Sequence, residues 1–269
     1  MADGRNWMAT LMLRLPASIR SFREIPVLGG VLHALSHRIL PSDQKVWAQV
    51  EAGPAKGIWL ELNPRTGQSY RLGETEKICQ AILAERLQPG DVFYDLGANL
   101  GFFSLLAARI VGPTGRVFSF EPDVQLVERL YRNAERNRLS NIVVVEMGVW
   151  SASGNLNFVI ADSSSPDRGV GTFLPDSASA VGIPARCISL DDFVRDAPAP
   201  RAIKCDVEGA EIEVFRGAEN LLRTHRPWIL CELHSETKGR AWRELISGLG
   251  YSCESVDSSH VLALPRMEI

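Results

Sequence analysis

Residues 92–110 read VFYDLGANLGFFSLLAARI, and the rest of the chain is best read outward from them. Val92 to Leu96 is an apolar run with an acid, Asp95, near its end. A tight loop follows, in which Gly97 and Gly101 bracket Ala98, Asn99 and Leu100. From Phe102 to Val111 the apolar residues continue with helical spacing. Strand, glycine loop and helix in that order form the first half of a βαβ unit. In open parallel sheets, ligands bind beyond the carboxyl ends of the strands.

The alternation repeats downstream. GRVFSFEP predicts a second strand and Val124 to Asn137 a helix. NIVVVEM predicts a third strand. RAIKCDVEG predicts a fourth, with a helix to about Leu222, and PWILCELH a fifth. Strands separated by helices at this spacing pair in parallel. The runs are almost wholly apolar, as expected when both faces of a sheet are covered. Trp242 to Leu249 predicts a last helix, and YSCESVD and HVLALP two last strands. The residues between those two are too few for a parallel crossover, so this pair is expected to be antiparallel.

Upstream, KVWAQVEAGPAKGIWLELN reads as a hairpin. GETEKICQAILAERLQPG reads as a helix stopped by Pro89-Gly90. The first forty residues are apolar with Arg14, Arg20, Arg23 and Arg38 against the single acid Glu24. They admit two readings: a helical appendage covering the core, which we prefer, or a basic amphipathic segment in peripheral contact with an anionic membrane surface. The expected division is 1–73, a helical segment and hairpin, and 74–269, an α/β domain. The stretch ADSSSPDRGVGTFLPDSASAVGIP, residues 161–184, interrupts that domain and reads as a substrate-side loop or lid.

A net charge of -3 provides no footprint for nucleic acid. The five cysteines are scattered and lack any C-x-x-C pair, which predicts reduced core thiols and a cytoplasmic location. No apolar run reaches the roughly 18 residues of a membrane span. NWMATLML has the length of a short signal core, but Arg14 follows and no cleavage site stands out, so secretion is not expected.

A dinucleotide site would need G-x-G-x-x-G. Here Asn99 replaces the second glycine and Phe102 the third, and no Gly-Lys-Ser/Thr of a phosphate loop follows. The carboxylate of Asp95 would repel a pyrophosphate. It suits a cofactor with an amino group and a sulfonium, so the residues favour S-adenosylmethionine over NAD or ATP. Glu121 ends the second strand, 26 residues after Asp95, where an acid can accept the hydroxyls of a ribose. The competing readings are a helix cap for Asp95 and an exposed turn acid for Glu121.

YDLGANLGFFSLLAA, VFSFEP, SLDDF and IKCDVEGAEIEVFRGAENLL together resemble the FkbM family of S-adenosylmethionine-dependent methyltransferases. The resemblance runs from about Gly73 to Tyr251. It implies a Rossmann-like, seven-stranded class I methyltransferase sheet, mostly parallel with the last strand antiparallel. It also implies O-methylation of a sugar or natural-product hydroxyl. It would put Asp95, Gly97, Asn99 and Gly101 around the methionine, Glu121 on the ribose, and Glu146, Met147 and Gly148 near the adenine. Ala98 and Pro122 complete that cofactor set.

A sugar hydroxyl is a poor nucleophile until its proton is removed. Asp206 lies at the end of the fourth strand, and Glu208 follows two residues on. Glu211 falls in the first helical turn, where an acid suits the helix dipole. Glu232 and His234 alternate on one face of the fifth strand. The expected catalytic set is Asp206, Glu208 and His234. Two mechanisms fit. A carboxylate or His234 acts as general base, which we prefer, or Asp206 and Glu232, with Glu208 or His234, hold a divalent cation such as Mg²⁺. Lys204, inside an apolar strand, reads as a packed stem whose ammonium pairs with an acid. His33, His37, His225 and His260 lack ligand spacing. The expected activity is S-adenosylmethionine-dependent O-methylation of a saccharide or secondary metabolite, with a small-molecule or glycan acceptor. The alternatives are an N-methyltransferase, which usually carries an Asn/Asp-Pro-Pro-aromatic run absent here, and a cofactor-binding scaffold without turnover.

Overall fold

The strand that holds Asp95 lies near the middle of the main sheet. In the computed structural model, residues 45–64, 66–160, 171–174 and 182–266 are described. The readings of the first forty residues therefore lie outside the described residues.

The chain begins its described course with a hairpin, β1 (Val46–Gln49) and β2 (Trp59–Leu62), followed by α1 (Gln68–Leu72) and α2 (Lys77–Arg86). Then come β3 (Val92–Leu96), α3 (Phe102–Val111), β4 (Arg116–Phe120), α4 (Val124–Arg136) and β5 (Ile142–Val145). Four short strands follow: β6 (Gly148–Val149), β7 (Gly154–Ile160), β8 (Gly171–Leu174) and β9 (Ile183–Ile188). The rest is α5 (Leu190–Phe193), β10 (Ala202–Cys205), α6 (Glu211–Arg216), α7 (Glu219–His225), β11 (Trp228–Glu232), α8 (Glu236–Gly248), β12 (Tyr251–Ser255) and β13 (His260–Pro265).

Among the described residues the main sheet has seven strands in the order β12-β13-β11-β10-β3-β4-β5. β11, β10, β3, β4 and β5 run parallel, and β13 inserts antiparallel between β11 and β12. This is the seven-stranded, mostly parallel sheet with an antiparallel end that the sequence led us to expect. The chain moves one way from β3 to β4 and β5, and the other way to β10 and β11. The switch point therefore lies at β3 and β10, where such folds bind ligands. Alternation along β3 sends Phe93 into one buried cluster and Tyr94 into the other, each 0% exposed.

The hairpin shares the first of these clusters: Val46, Leu60 and Leu62 pack with Leu105 and Leu106 of α3. Its outer edge is closed by α4. Asn133 Oδ1 accepts from the Glu61 amide and Asn137 Oδ1 from the Trp59 amide, both at 2.8 Å, and Arg136 stacks on the Trp59 ring at 4.8 Å. A strand edge covered in this way is not free to pair with another chain.

Three expectations need correction. The helix expected to run to Leu222 breaks at Gly217-Ala218 into α6 and α7. The last helix begins at Glu236 rather than Trp242, because Ser235 caps it by accepting from the Lys238 amide. Residues 171–174, expected in a loop, form β8 of a second sheet ordered β6-β9-β7-β8, while 161–170 and 175–181 lie outside the described residues.

Candidate active site

At the carboxyl end of β3 the backbone turns through Gly97 at φ 78. A Cβ there would lie 1.8 Å from the Asp206 carbonyl oxygen, so only glycine lets the β3 loop pass the end of β10. The Gly97 and Ala98 amides both donate to the Phe120 carbonyl at 3.0 Å, which ties the loop to β4. The Asn99 amide donates to Glu121 Oε2 at 2.8 Å, and the Asp123 amide to Glu121 Oε1 at 3.0 Å. Glu121 is thus buried and not an exposed turn acid. Burial pushes its carboxyl up to about 7.

These residues open onto a cleft of about 660 Å³. Gly97, Asn99, Glu121, Pro122, Asp206 and Glu208 line it. Gly148 lies at the far end, beneath Phe173 and Phe158 of the second sheet, whose rings sit 5.1 Å apart. A Cβ on Gly148 would come within 1.9 Å of the Phe173 ring.

Five residues of the expected cofactor set do not line this cleft, and one of them, Met147, packs against the buried cluster that holds Tyr94. Asp95 turns beneath the loop and accepts from Ser104 Oγ at 2.5 Å, with Ser119 Oγ a further 2.7 Å on. It is not a helix cap either, since Gly101 occupies that position. Ala98 is engaged through its backbone, Gly101 packs against Leu130 of α4, and Glu146 is exposed beside Tyr131.

The acids at the other strand ends form a charged network. Lys204 Nζ lies 3.4 Å from Asp206 Oδ2 and 3.5 Å from Glu76 Oε2, and 4.4 Å from the centre of the Phe103 ring. Burial works against its charge, but Asp206, Glu76 and Asp95 outweigh it and hold the ammonium protonated. His260 Nε2 faces Glu76 at 3.2 Å and Glu232 at 3.5 Å, and its Nδ1 faces Asp257 at 2.9 Å. Against its burial, contacts with Cys79, Glu232 and Glu76 push this imidazole up to about 12.

His234 is bracketed in the same way. Its Nε2 lies 3.0 Å from Glu208 and its Nδ1 2.7 Å from the buried Glu211, which together push it up to about 10. Its Nε2 is 3.6 Å from Asp206 Oδ1. That Oδ1 is buried and makes no hydrogen bond among the described residues. Burial, aided by Glu232, Glu76 and Glu208 against Lys204, pushes the Asp206 carboxyl up to about 6.

The expected set of Asp206, Glu208, Glu232 and His234 is therefore brought together, and Lys204 is paired with acids. Donor atoms of Asp206, Glu208 and His234 fall within 4.8 Å of one another, as do those of Glu76, Asp206 and Glu232. The second group already carries Lys204 and His260 as its counter-cations, so a divalent ion there would have to displace them. Sequence reasoning missed Glu76 and His260, whose contact joins residues 184 apart, and Tyr70, whose hydroxyl is pushed up to about 12 by burial and by Glu76 and Asp206. Only the lysine inside an apolar strand signalled that acids from elsewhere must reach it. No helix of the described residues is long and apolar enough to cross a membrane.

Residues 95–253 match the family described as the Methyltransferase FkbM domain. The hexuronic acid methyltransferase AglP of Haloferax volcanii is 30% identical over 175 residues, covering 64% of this chain and 68% of that protein. A ribosomal protein L11 methyltransferase of Chloroflexus aurantiacus is 26% identical over 129 residues, 48% of this chain but only 37% of that protein. The crystal structure of an FkbM methyltransferase from Methylobacillus flagellatus KT covers 72% of this chain and 46% of its own at 18% identity, with a TM-score of 0.49. The family pattern runs from the acid of β3 into β12, across both sides of the switch point, and on that span the chain belongs to the FkbM family of S-adenosylmethionine-dependent methyltransferases.

Proposed function

We propose that the enzyme methylates a hydroxyl of a saccharide, and that Asp206 takes the hydroxyl proton. The observation that carries this reading is the buried Asp206 Oδ1 without a hydrogen-bond partner, on the wall of the same cleft as Glu121. A buried acceptor with nothing to accept is costly unless a ligand completes it.

The cleft residues fit the cofactor. Glu121 spends one lone pair of each oxygen on a backbone amide, and the others remain for ribose hydroxyls. Gly97, Asn99, Pro122 and Gly148 would line the rest. Asp95 would act from beneath, by fixing Ser104 and the start of α3. S-adenosylmethionine, when bound, supplies an electrophilic methyl group. The work of this chain's own residues is to orient the acceptor and hold its proton. A carboxyl near 6 is ionised at neutral pH yet basic enough to share a hydroxyl proton.

The alternative base, His234, is held as an imidazolium by Glu208 and Glu211 and so has no lone pair to offer. We assign it to holding Glu208 in place. Lys204 and His260 supply the positive charge that a metal would otherwise bring, which favours the metal-free mechanism. An acceptor carboxylate, by contrast, needs no base and would meet Asp206, Glu208 and Glu232 in the centre. This favours a hydroxyl even though one relative is named for a hexuronic acid.

Asp206→Asn tests the proposal. Methyl transfer to a panel of oligosaccharides should fall about 10²–10⁴-fold, while calorimetric affinity for S-adenosylhomocysteine stays within about twofold. In the wild type the rate should climb with pH and level off above about 6, as Asp206 loses its proton. A variant with full turnover and the same pH profile would remove Asp206 from the mechanism.

A further inference from the structure

A second cleft opens beside the acid network, at the carboxyl end of β11 and the first turns of α8. It is open to solvent, and its empty space of about 810 Å³ includes part of that solvent. Arg240 and Arg243, three residues apart on α8 and so on one face, line it together with Ser235, Ser258 and His260. Arg243 donates to Ser255 Oγ at 2.8 Å. Arg240 is exposed and makes no ion pair or hydrogen bond among the described residues. The acids on the wall are Asp257, which is bound to His260, and Glu236. With Asp257 paired to His260, and His260 already balancing Glu76 and Glu232, two guanidinium groups face Glu236 as the one uncommitted acid of the lining.

His260 connects this cleft to the candidate active site. One ring nitrogen faces Asp257 on the cleft side, and the other reaches Glu232 and Glu76 beside Asp206. The cofactor residues stand over β3 and β4. The half of the sheet made of β10, β11 and β13 is left for the acceptor, and the Arg240–Arg243 cleft continues that half outward. Guanidinium forks pair with carboxylates and phosphates in two parallel hydrogen bonds, a geometry that neutral sugars cannot use.

We infer that the Arg240–Arg243 cleft binds an anionic group of the acceptor, a sugar carboxylate or a phosphate ester, one unit removed from the hydroxyl that receives the methyl. The inference rests on the saccharide reading above. It deepens that reading, because the acceptor becomes an acidic saccharide held by its charge away from the reacting hydroxyl. The acids around Asp206 repel a charged group, and the arginines collect it on the outer side.

The test uses the full chain saturated with S-adenosylhomocysteine. Galacturonate oligomers, neutral galactose oligomers of the same length and inorganic phosphate are titrated against the wild type and against Arg240→Ala/Arg243→Ala. We expect an anionic probe to bind at least tenfold tighter than the neutral oligomer. The double variant should erase that preference while leaving S-adenosylhomocysteine affinity within twofold. Preference for the uronate identifies a carboxylate, and preference for phosphate identifies a phosphate ester. Equal binding of charged and neutral probes, no binding of any anionic probe, or a preference that survives the double substitution would each overturn the site. Asp206→Asn run in parallel separates the two proposals. If that variant keeps both turnover and the anion preference, the base assignment is wrong and the cleft stands. If it loses turnover while the wild type shows no anion preference, the cleft is wrong and the base stands.

Discussion

Glu208 has φ 53 and Gly209 φ 95, so the chain leaves β10 through two consecutive left-handed residues. For a glutamate this conformation costs on the order of 1–3 kcal/mol, and it persists because its surroundings hold it. His234 grips Glu208 and Glu211, Lys238 Nζ donates to the Gly209 carbonyl at 2.7 Å, and the Gly209 amide donates to Glu211 at 2.8 Å. The charge of His234 is therefore part of the loop's geometry. Its pKa is raised from 6.5 to about 10 in the folded chain, so its stabilising contribution is complete below about 6.5, shrinks as pH rises, and is gone above about 10. Thermal melts of His234→Asn should lie below those of the wild type at pH 6 and converge with them towards pH 10. A constant gap across that range would show that His234 acts by packing alone. The same reasoning bears on metal. With Lys204 and His260 already among the carboxylates, dialysis against EDTA should leave methyl transfer unchanged within about twofold, and a loss restored by Mg²⁺ would reinstate the ion. Asp206, Glu208 and His234 were legible because neighbouring strand ends place them together. Glu76 and His260 were not, since nothing local in either segment points to a partner across the sheet.

Among the elements, the strands buried on both faces were the most legible. β3, β4, β10 and β11 fall on the apolar runs that announce them, because a run without polar interruptions has few other places to go. The hairpin followed from alternation around a Gly/Pro turn. The second sheet was hidden because β7, GNLNFVI, and β9, IPARCI, mix polar residues into half-exposed strands, and β8 is only four residues long. Yet this sheet carries Phe158 and Phe173 over the cleft, and Gly148 is the residue that lets Phe173 descend. Gly148→Ala should displace that ring and weaken S-adenosylhomocysteine binding by about tenfold, or about 1.4 kcal/mol. Phe173→Ala added to the same chain should recover part of the loss by making room for the new methyl. If the single variant binds normally, the aromatic cover takes no part in cofactor affinity.

Over the whole molecule, the antiparallel end of the sheet was legible from the short β12–β13 connection. The insertion of β13 next to β11 was not, because no local pattern distinguishes the two last strands. The hairpin shows how far the core extends beyond the region of family likeness. Leu60 and Leu62 are 0% and 1% exposed within the same cluster as α3. A chain starting at Glu74 would expose that cluster and strip α4 of its partners at Trp59 and Glu61. Such a truncation should lack a cooperative thermal transition, and one that melts within a few degrees of the full chain would show the hairpin to be dispensable.

Glu76 and His260 both lie outside residues 95–253, yet they complete the charge balance around Lys204 and Asp206. Recombination between relatives at the edges of the family region would transplant the cofactor cleft and leave these two behind. The recipient's own flanks would then decide whether the lysine keeps its second carboxylate. Crossovers placed before α2 and after β13 would carry the set as one piece, so the unit that can be exchanged between such enzymes is larger than the unit that defines the family.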